Sequence, residues 1–241
     1  METEFKTTRN FNNLFFDDKK EVLGKVNFFL NNKDWYKKIG MPYTLGIGLH
    51  GPPGTGKTSF IKALAQHTNR HVIILSLKLL KKREYLEEFF FEKQYNRLNK
   101  NNITFDKKII VIEDIDCNDE IVLDRSIKEE NKKENKKINK SGEEISLSDE
   151  LKLKTLMNDD PITLDDILNL WDGIQETPGR ILIISSNHYD KLDPALIRPG
   201  RIDISLELKK ASLDVISDMY KYLFNKKIPK NEVQKIEGFK Y

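Results

Sequence analysis

Two kinds of hydrophobic pattern alternate along this chain. Short runs that are apolar almost throughout recur at 43–50, 71–76, 107–113, 180–185 and 202–208. Each predicts a strand buried on both faces. Between them lie segments whose apolar residues return every three or four positions. Val22, Val26, Phe29 and Leu30 predict a helix that starts at Asp17 or Asp18 as N-cap and runs to about Leu30. Phe60, Ile61, Ala63, Leu64 and Ala65 predict a buried helix over 59–67. Tyr85, Leu86, Phe89, Phe90 and Tyr95 predict a charged helix over 82–99, with its stripe turned to the core. Thr163, with Asp166 three residues on, predicts a capped helix over 164–171. Apolar strands alternating with helices imply an α/β fold, a parallel five-stranded sheet between two helical layers.

The remaining segments set the domain limits. Residues 1–16 are polar with scattered Phe5, Phe11, Phe15 and Phe16, and read as a lead-in. The core then spans 17–210. Within it, 118–160 changes composition, and 128–140 is almost entirely Lys, Glu and Asn. Such a segment buries too little apolar surface to order itself, so it reads as a largely disordered insertion. After Ser212 there is room for one or two helices, a partial helical lid over 211–241.

Composition narrows the partners. A net charge of +3 with 33% charged residues gives no strong signal for a nucleic-acid or membrane surface. The single cysteine, Cys117, excludes an internal disulfide. No apolar run approaches the ~18 residues of a membrane span. The first residues show neither a secretory nor a transit pattern. The expectation is a soluble, cytoplasmic chain, with the mitochondrial inner membrane an option only behind an upstream anchor.

Candidate chemistry begins at Gly51-Pro52-Pro53-Gly54-Thr55-Gly56-Lys57-Thr58, followed by Ser59. This is the G-x-x-x-x-G-K-[ST] spacing of a phosphate-binding loop, set between a predicted strand and a predicted helix. Glycines let successive backbone N–H groups face an anion. Lys57 supplies a charge for the β and γ phosphates, and the Thr58 hydroxyl can ligate Mg²⁺. Such a site also needs a carboxylate at the tip of a neighbouring strand to hold the metal. Ile109-Ile110-Val111-Ile112-Glu113-Asp114-Ile115-Asp116 supplies it. Successive strand residues point to opposite sides, so Glu113 and Asp114 cannot share one task.

The stretch Ser185 to Asp203 carries Asn187, Leu192-Asp193-Pro194-Ala195-Leu196 and Arg198-Pro199-Gly200-Arg201-Ile202-Asp203. It resembles the second region of homology of the AAA ATPases. The resemblance implies ATP and Mg²⁺, with Thr58 and Glu113 on the metal and Asp114 toward the attacking water. It implies that Asn187 orients that water and that Arg198 and Arg201 reach a neighbouring subunit's nucleotide. It implies a homo-oligomeric ring of six or seven subunits acting on a protein client. Trp35-Tyr36, Gly40-Met41-Pro42-Tyr43, the acid order Glu-Asp and Leu170-Trp171-Asp172-Gly173-Ile174 narrow the likeness. They resemble the subfamily of the mitochondrial chaperone that inserts the Rieske protein into respiratory complex III, with its plant, fungal and viral relatives.

Two other readings stay open. Lys78, Lys81, Lys82 and Arg83 could serve an AAA+ nucleic-acid motor or loader. The swapped acids and short lid could belong to an ATP-binding switch that does not hydrolyse.

Overall fold

The structure, a computed structural model, describes residues 4–77, 79–80, 82–95, 101–124, 162–229 and 232–233. Two helices lead in, α1 (Lys19–Asn31) and α2 (Lys33–Ile39), and then β1 (Thr44–His50), α3 (Lys57–Thr68) and β2 (His71–Ile74) follow. Next come α4 (Arg83–Phe91), β3 (Lys108–Ile112) and the single turn α5 (Asp119–Val122). The described chain resumes before α6 (Leu164–Asp172), β4 (Arg180–Ser186), the single turn α7 (Pro194–Ile197), β5 (Ile204–Glu207) and α8 (Leu213–Phe224). The five strands form one parallel sheet in the order β2-β3-β4-β1-β5.

Alternation explains why the central strands are apolar at every position. On β3 and β4, Ile109, Val111, Ile181 and Ile183 face a core built with Val22, Val26 and Phe29 of α1 and Phe60 and Leu64 of α3. Ile110, Ile112, Leu182 and Ile184 face the other core, against Leu86 and Phe90 of α4 and Ile167, Leu170 and Trp171 of α6. Both faces are therefore covered, as a parallel sheet requires. β1 is different on its second face, where it carries Gly46 and Gly48. A Cβ at Gly46 would overlap the Arg201 carbonyl, and one at Gly48 would meet the Tyr189 ring. The Asp203 carboxylate accepts the Gly46 N–H at 2.8 Å, and the Asp203 N–H returns to the Gly46 carbonyl at 2.9 Å. The missing side chains thus let the chain between β4 and β5 cross tightly over β1.

Several sequence expectations change. The helix expected to reach residue 99 ends at Phe91. Its terminal carbonyls are taken by a lysine from β3: Lys108 Nζ donates to Phe90 O, Glu92 O and Tyr95 Oη. Asp18 occupies the position before α1, but with φ 59° and no side-chain cap. Asp17 instead accepts from Ser212 Oγ at 2.7 Å, tying the start of α1 to that of α8. The lead-in contributes to the core, because Phe11 is buried edge-on against Phe60. Order also extends past residue 118. Leu123 bridges Leu192, and the N–H of Asp193 reaches Val122 O. The stretch 128–140 lies outside the described residues. The capping box at Thr163 and Asp166 forms as expected.

Candidate nucleotide site

The phosphate loop joins β1 to α3. Gly51, Gly54 and Gly56 all have positive φ, at 127°, 81° and 108°. Gly51 is fixed in kind as well as in angle, since a Cβ there would come 2.2 Å from Leu208 O. α3 begins at Lys57 with Gly56 as its N-cap and no side-chain cap. The Phe60 N–H closes the first turn on Gly56 O. The preceding N–H groups of that turn have no helical partner and suit an anion. Thr55 Oγ1 donates to Pro52 O at 2.8 Å and closes the loop on itself.

Lys57 connects the loop to a different strand. Its ammonium donates to Gly51 O at 2.7 Å, Pro52 O at 3.0 Å and Asn187 Oδ1 at 2.8 Å. Three acceptors match its three donors. Asn187 follows β4, which lies between β3 and β1. The sheet therefore brings the loop, the acids and Asn187 to the C-terminal ends of three adjacent strands, where open α/β sheets hold ligands.

The acids sit differently from the simple strand picture. β3 stops at Ile112, and Glu113 and Asp114 form a turn beyond it, with Asp114 at φ 45°. Strand alternation therefore does not govern their directions. Both side chains are exposed. The Asp114 N–H donates to Ser185 Oγ at 3.1 Å, and the Asn187 N–H donates to Asp116 Oδ2 at 3.3 Å. Sequence reasoning quoted Ser185 and Asp116 but gave them no task. Asp116 could have been noticed as the third acid of one short run.

The donor chemistry near the loop fits Mg²⁺. Thr58, Glu113 and Asp114 offer hard oxygens. Among the described residues no group of three or more His, Cys, Asp or Glu forms a metal cage. Mg²⁺ is commonly held by one or two protein oxygens together with substrate phosphates. His50, the last residue of β1, stacks on Tyr189 at 4.3 Å and meets Ser205 Oγ at 3.1 Å. Burial pulls its pKa down, against an opposing pull from Glu207.

The two arginines fall in different environments, and both turn to Asp172 at the end of α6. Arg198 is exposed and meets Asp172 Oδ2 at 2.8 Å. Arg201 is buried, and bonds the same oxygen and Ala195 O. The two arginines to which the resemblance gives one role thus differ in burial. His188 donates its N–H to Ser186 Oγ and is exposed.

Comparison with known proteins gives a consistent picture. Residues 47–210 match the model of the ATPase family associated with various cellular activities (AAA). An AAA-ATPase of Arabidopsis thaliana is 36% identical over 222 residues, covering 90% of this chain and 42% of that protein. A probable mitochondrial chaperone, BCS1-B, of Dictyostelium discoideum is 31% identical over 232 residues, 91% of this chain and 46% of that protein. A mitochondrial AAA-ATPase of Arabidopsis thaliana, ASD, is 37% identical over 196 residues, 80% of this chain and 35% of that protein. The chain spans less than half the length of these relatives.

Proposed function

The chain belongs to the AAA family of ATPases, and from that premise we propose that it hydrolyses ATP with Mg²⁺, as part of a ring that remodels a protein client. The observation that carries the reading is the convergence on Lys57, whose ammonium meets the loop carbonyls and Asn187 at once. A triphosphate entering the loop competes for that ammonium with acceptors from two strands. Binding is thereby coupled to the position of Asn187.

The residues divide the work as follows. The N–H groups at the start of α3, with Gly51 to Ser59, hold the phosphates. Lys57 takes the β and γ oxygens. Thr58 and Glu113 would hold Mg²⁺, which supplies charge neutralisation between the phosphates. Asp114 accepts the proton of the attacking water, and Asn187 orients that water. Arg198, the exposed member of its pair, reaches a neighbouring subunit's nucleotide, while Arg201 holds the turn from which it projects. In domain terms, 17–210 is the ATPase core and 211–241 a partial lid. The protein client is inferred by analogy with the chaperone relative.

The nucleic-acid reading is disfavoured by one contact set. Arg83, part of the basic cluster, is paired with Glu87 at 2.9 Å and Asp166 at 3.4 Å. Lys78 and Lys81 lie outside the described residues. Among the described residues no helix is long and apolar enough to cross a membrane.

Two variants test the assignment. Lys57→Ala should weaken binding of a fluorescent ATP analogue. Asp114→Asn should bind it like the parent yet lose about a hundredfold or more in turnover, the scale of general-base catalysis. Normal turnover by the Asp114→Asn chain would remove Asp114 from the mechanism. A single-turnover measurement on concentrated protein separates slow hydrolysis from a non-hydrolysing switch.

A further inference from the structure

Asp116 carries an unpaired polar atom near the site. Its side chain is 7% exposed, Oδ2 accepts from the Asn187 N–H, and Oδ1 has no partner among the described residues. Burying an unsatisfied polar group is costly, because its lost hydration is not replaced. An apolar residue would avoid that cost, and Ile115 beside it is fully buried. A carboxyl group here therefore calls for a compensating role.

The contacts indicate one. The ladder between β3 and β4 ends at the pair Ile112 and Ile184. Beyond it, two side-chain-to-backbone bonds continue the connection in opposite senses. Ser185 of the β4 end receives the Asp114 N–H, and Asp116 of the β3 exit receives the Asn187 N–H. The backbone of the candidate base, Asp114, is thus fastened to β4, and that of the water-orienting Asn187 to the exit of β3. Asn187 then extends to Lys57. A continuous set of contacts runs from Asp116 through Asn187 to the phosphate loop.

We propose that Asp116 is a positioning residue for ATP turnover: by holding the Asn187 amide, it sets where the Asn187 side chain stands relative to Lys57 and Asp114. The proposal rests on the ATPase reading above. It requires no contact between Asp116 and the nucleotide, and it gives Asp116 no part in holding phosphate.

The test compares Asp116→Ala with Asp116→Asn, which keeps an oxygen acceptor for the Asn187 amide. Three readouts are needed: affinity for a fluorescent ADP analogue, kcat with ATP and Mg²⁺, and hydrogen exchange of the Asn187 amide. In the Ala variant kcat should fall about tenfold to a hundredfold, the penalty for a reacting group misplaced by about an ångström. Affinity should change by no more than about threefold, because Asn187 is one of three Lys57 acceptors and the loop that holds the phosphates is unaltered. Asn187 exchange should speed up in the Ala variant, and the Asn variant should restore both exchange and turnover. Unchanged turnover in the Ala variant would overturn the proposal. So would a joint loss of affinity, turnover and thermal stability in both variants, which marks a purely structural residue. A parent chain inactive at every concentration would sink the ATPase reading instead. Asn187 exchange would then decide alone: faster in the Ala variant and restored in the Asn variant supports the positioning claim, and no change overturns it.

Discussion

Arg198 and Arg201 sit three positions apart on one turn and meet the same oxygen of Asp172, but burial separates them. Arg201 is 7% exposed and also bonds Ala195 O, so its removal leaves a carboxylate and a carbonyl short of a donor. We expect Arg201→Ala to destabilise the fold by about 1–3 kcal/mol, less than a fully buried pair because Asp172 is partly open to water. Arg198 is 57% exposed, and its bridge should be worth at most about 1 kcal/mol. Arg198→Ala should therefore melt with the parent while losing activity, and denaturation curves of the two variants check the contrast. The sequence could not make this distinction, since a motif shows residue types and spacing but not which guanidinium the fold encloses. The same limit applied to Glu113 and Asp114. Their presence at the site was legible, but the end of β3 at Ile112, which turns them out of the strand, was not.

Element boundaries were least legible where a distant residue sets them. The apolar runs predicted all five strands; β3 and β4, buried at every position, need no polar residues, while β5 at the sheet edge alternates buried and exposed ones. Nothing in the local pattern of 82–99 foretold that Lys108 would close α4 at its last carbonyls. Lys108 is 1% exposed, lies over the Tyr95 and Phe105 rings, and burial pulls its pKa down to about 8, against a smaller opposing pull from Glu92. The unfolded chain keeps a lysine near 10.4, so between about pH 8 and 10 the unfolded state binds more protons than the folded one. Stability supplied through this group must then rise with pH across that window. Chemical denaturation at pH 8 and pH 10 should show the parent gaining stability relative to Lys108→Met, which has no ammonium to lose. Equal pH responses in the two chains would contradict a buried, titrating Lys108.

At the scale of the molecule, the role proposed for Arg198 on a neighbour's nucleotide would make activity a property of assembly. Turnover per chain should rise with protein concentration, in the range where sedimentation shows association. A flat profile would remove the contribution in trans. The three-layer plan was legible from pattern alone. The packing of Phe11 and the bond from Asp17 to Ser212 were not, because they join segments 49 and 195 residues apart by single side chains. The strand order has one more consequence, for how the chain is made. β1 lies between β4 and β5, and pairs with no earlier strand. Lys57 likewise waits for Asn187, 130 residues later. At about 5–20 residues per second, a ribosome leaves the emerging β1 without either sheet neighbour for roughly 7–26 s. Throughout that interval Leu45, Ile47 and Leu49 have no completed sheet to enter, which makes the half-made chain itself a client for whatever shields nascent strands.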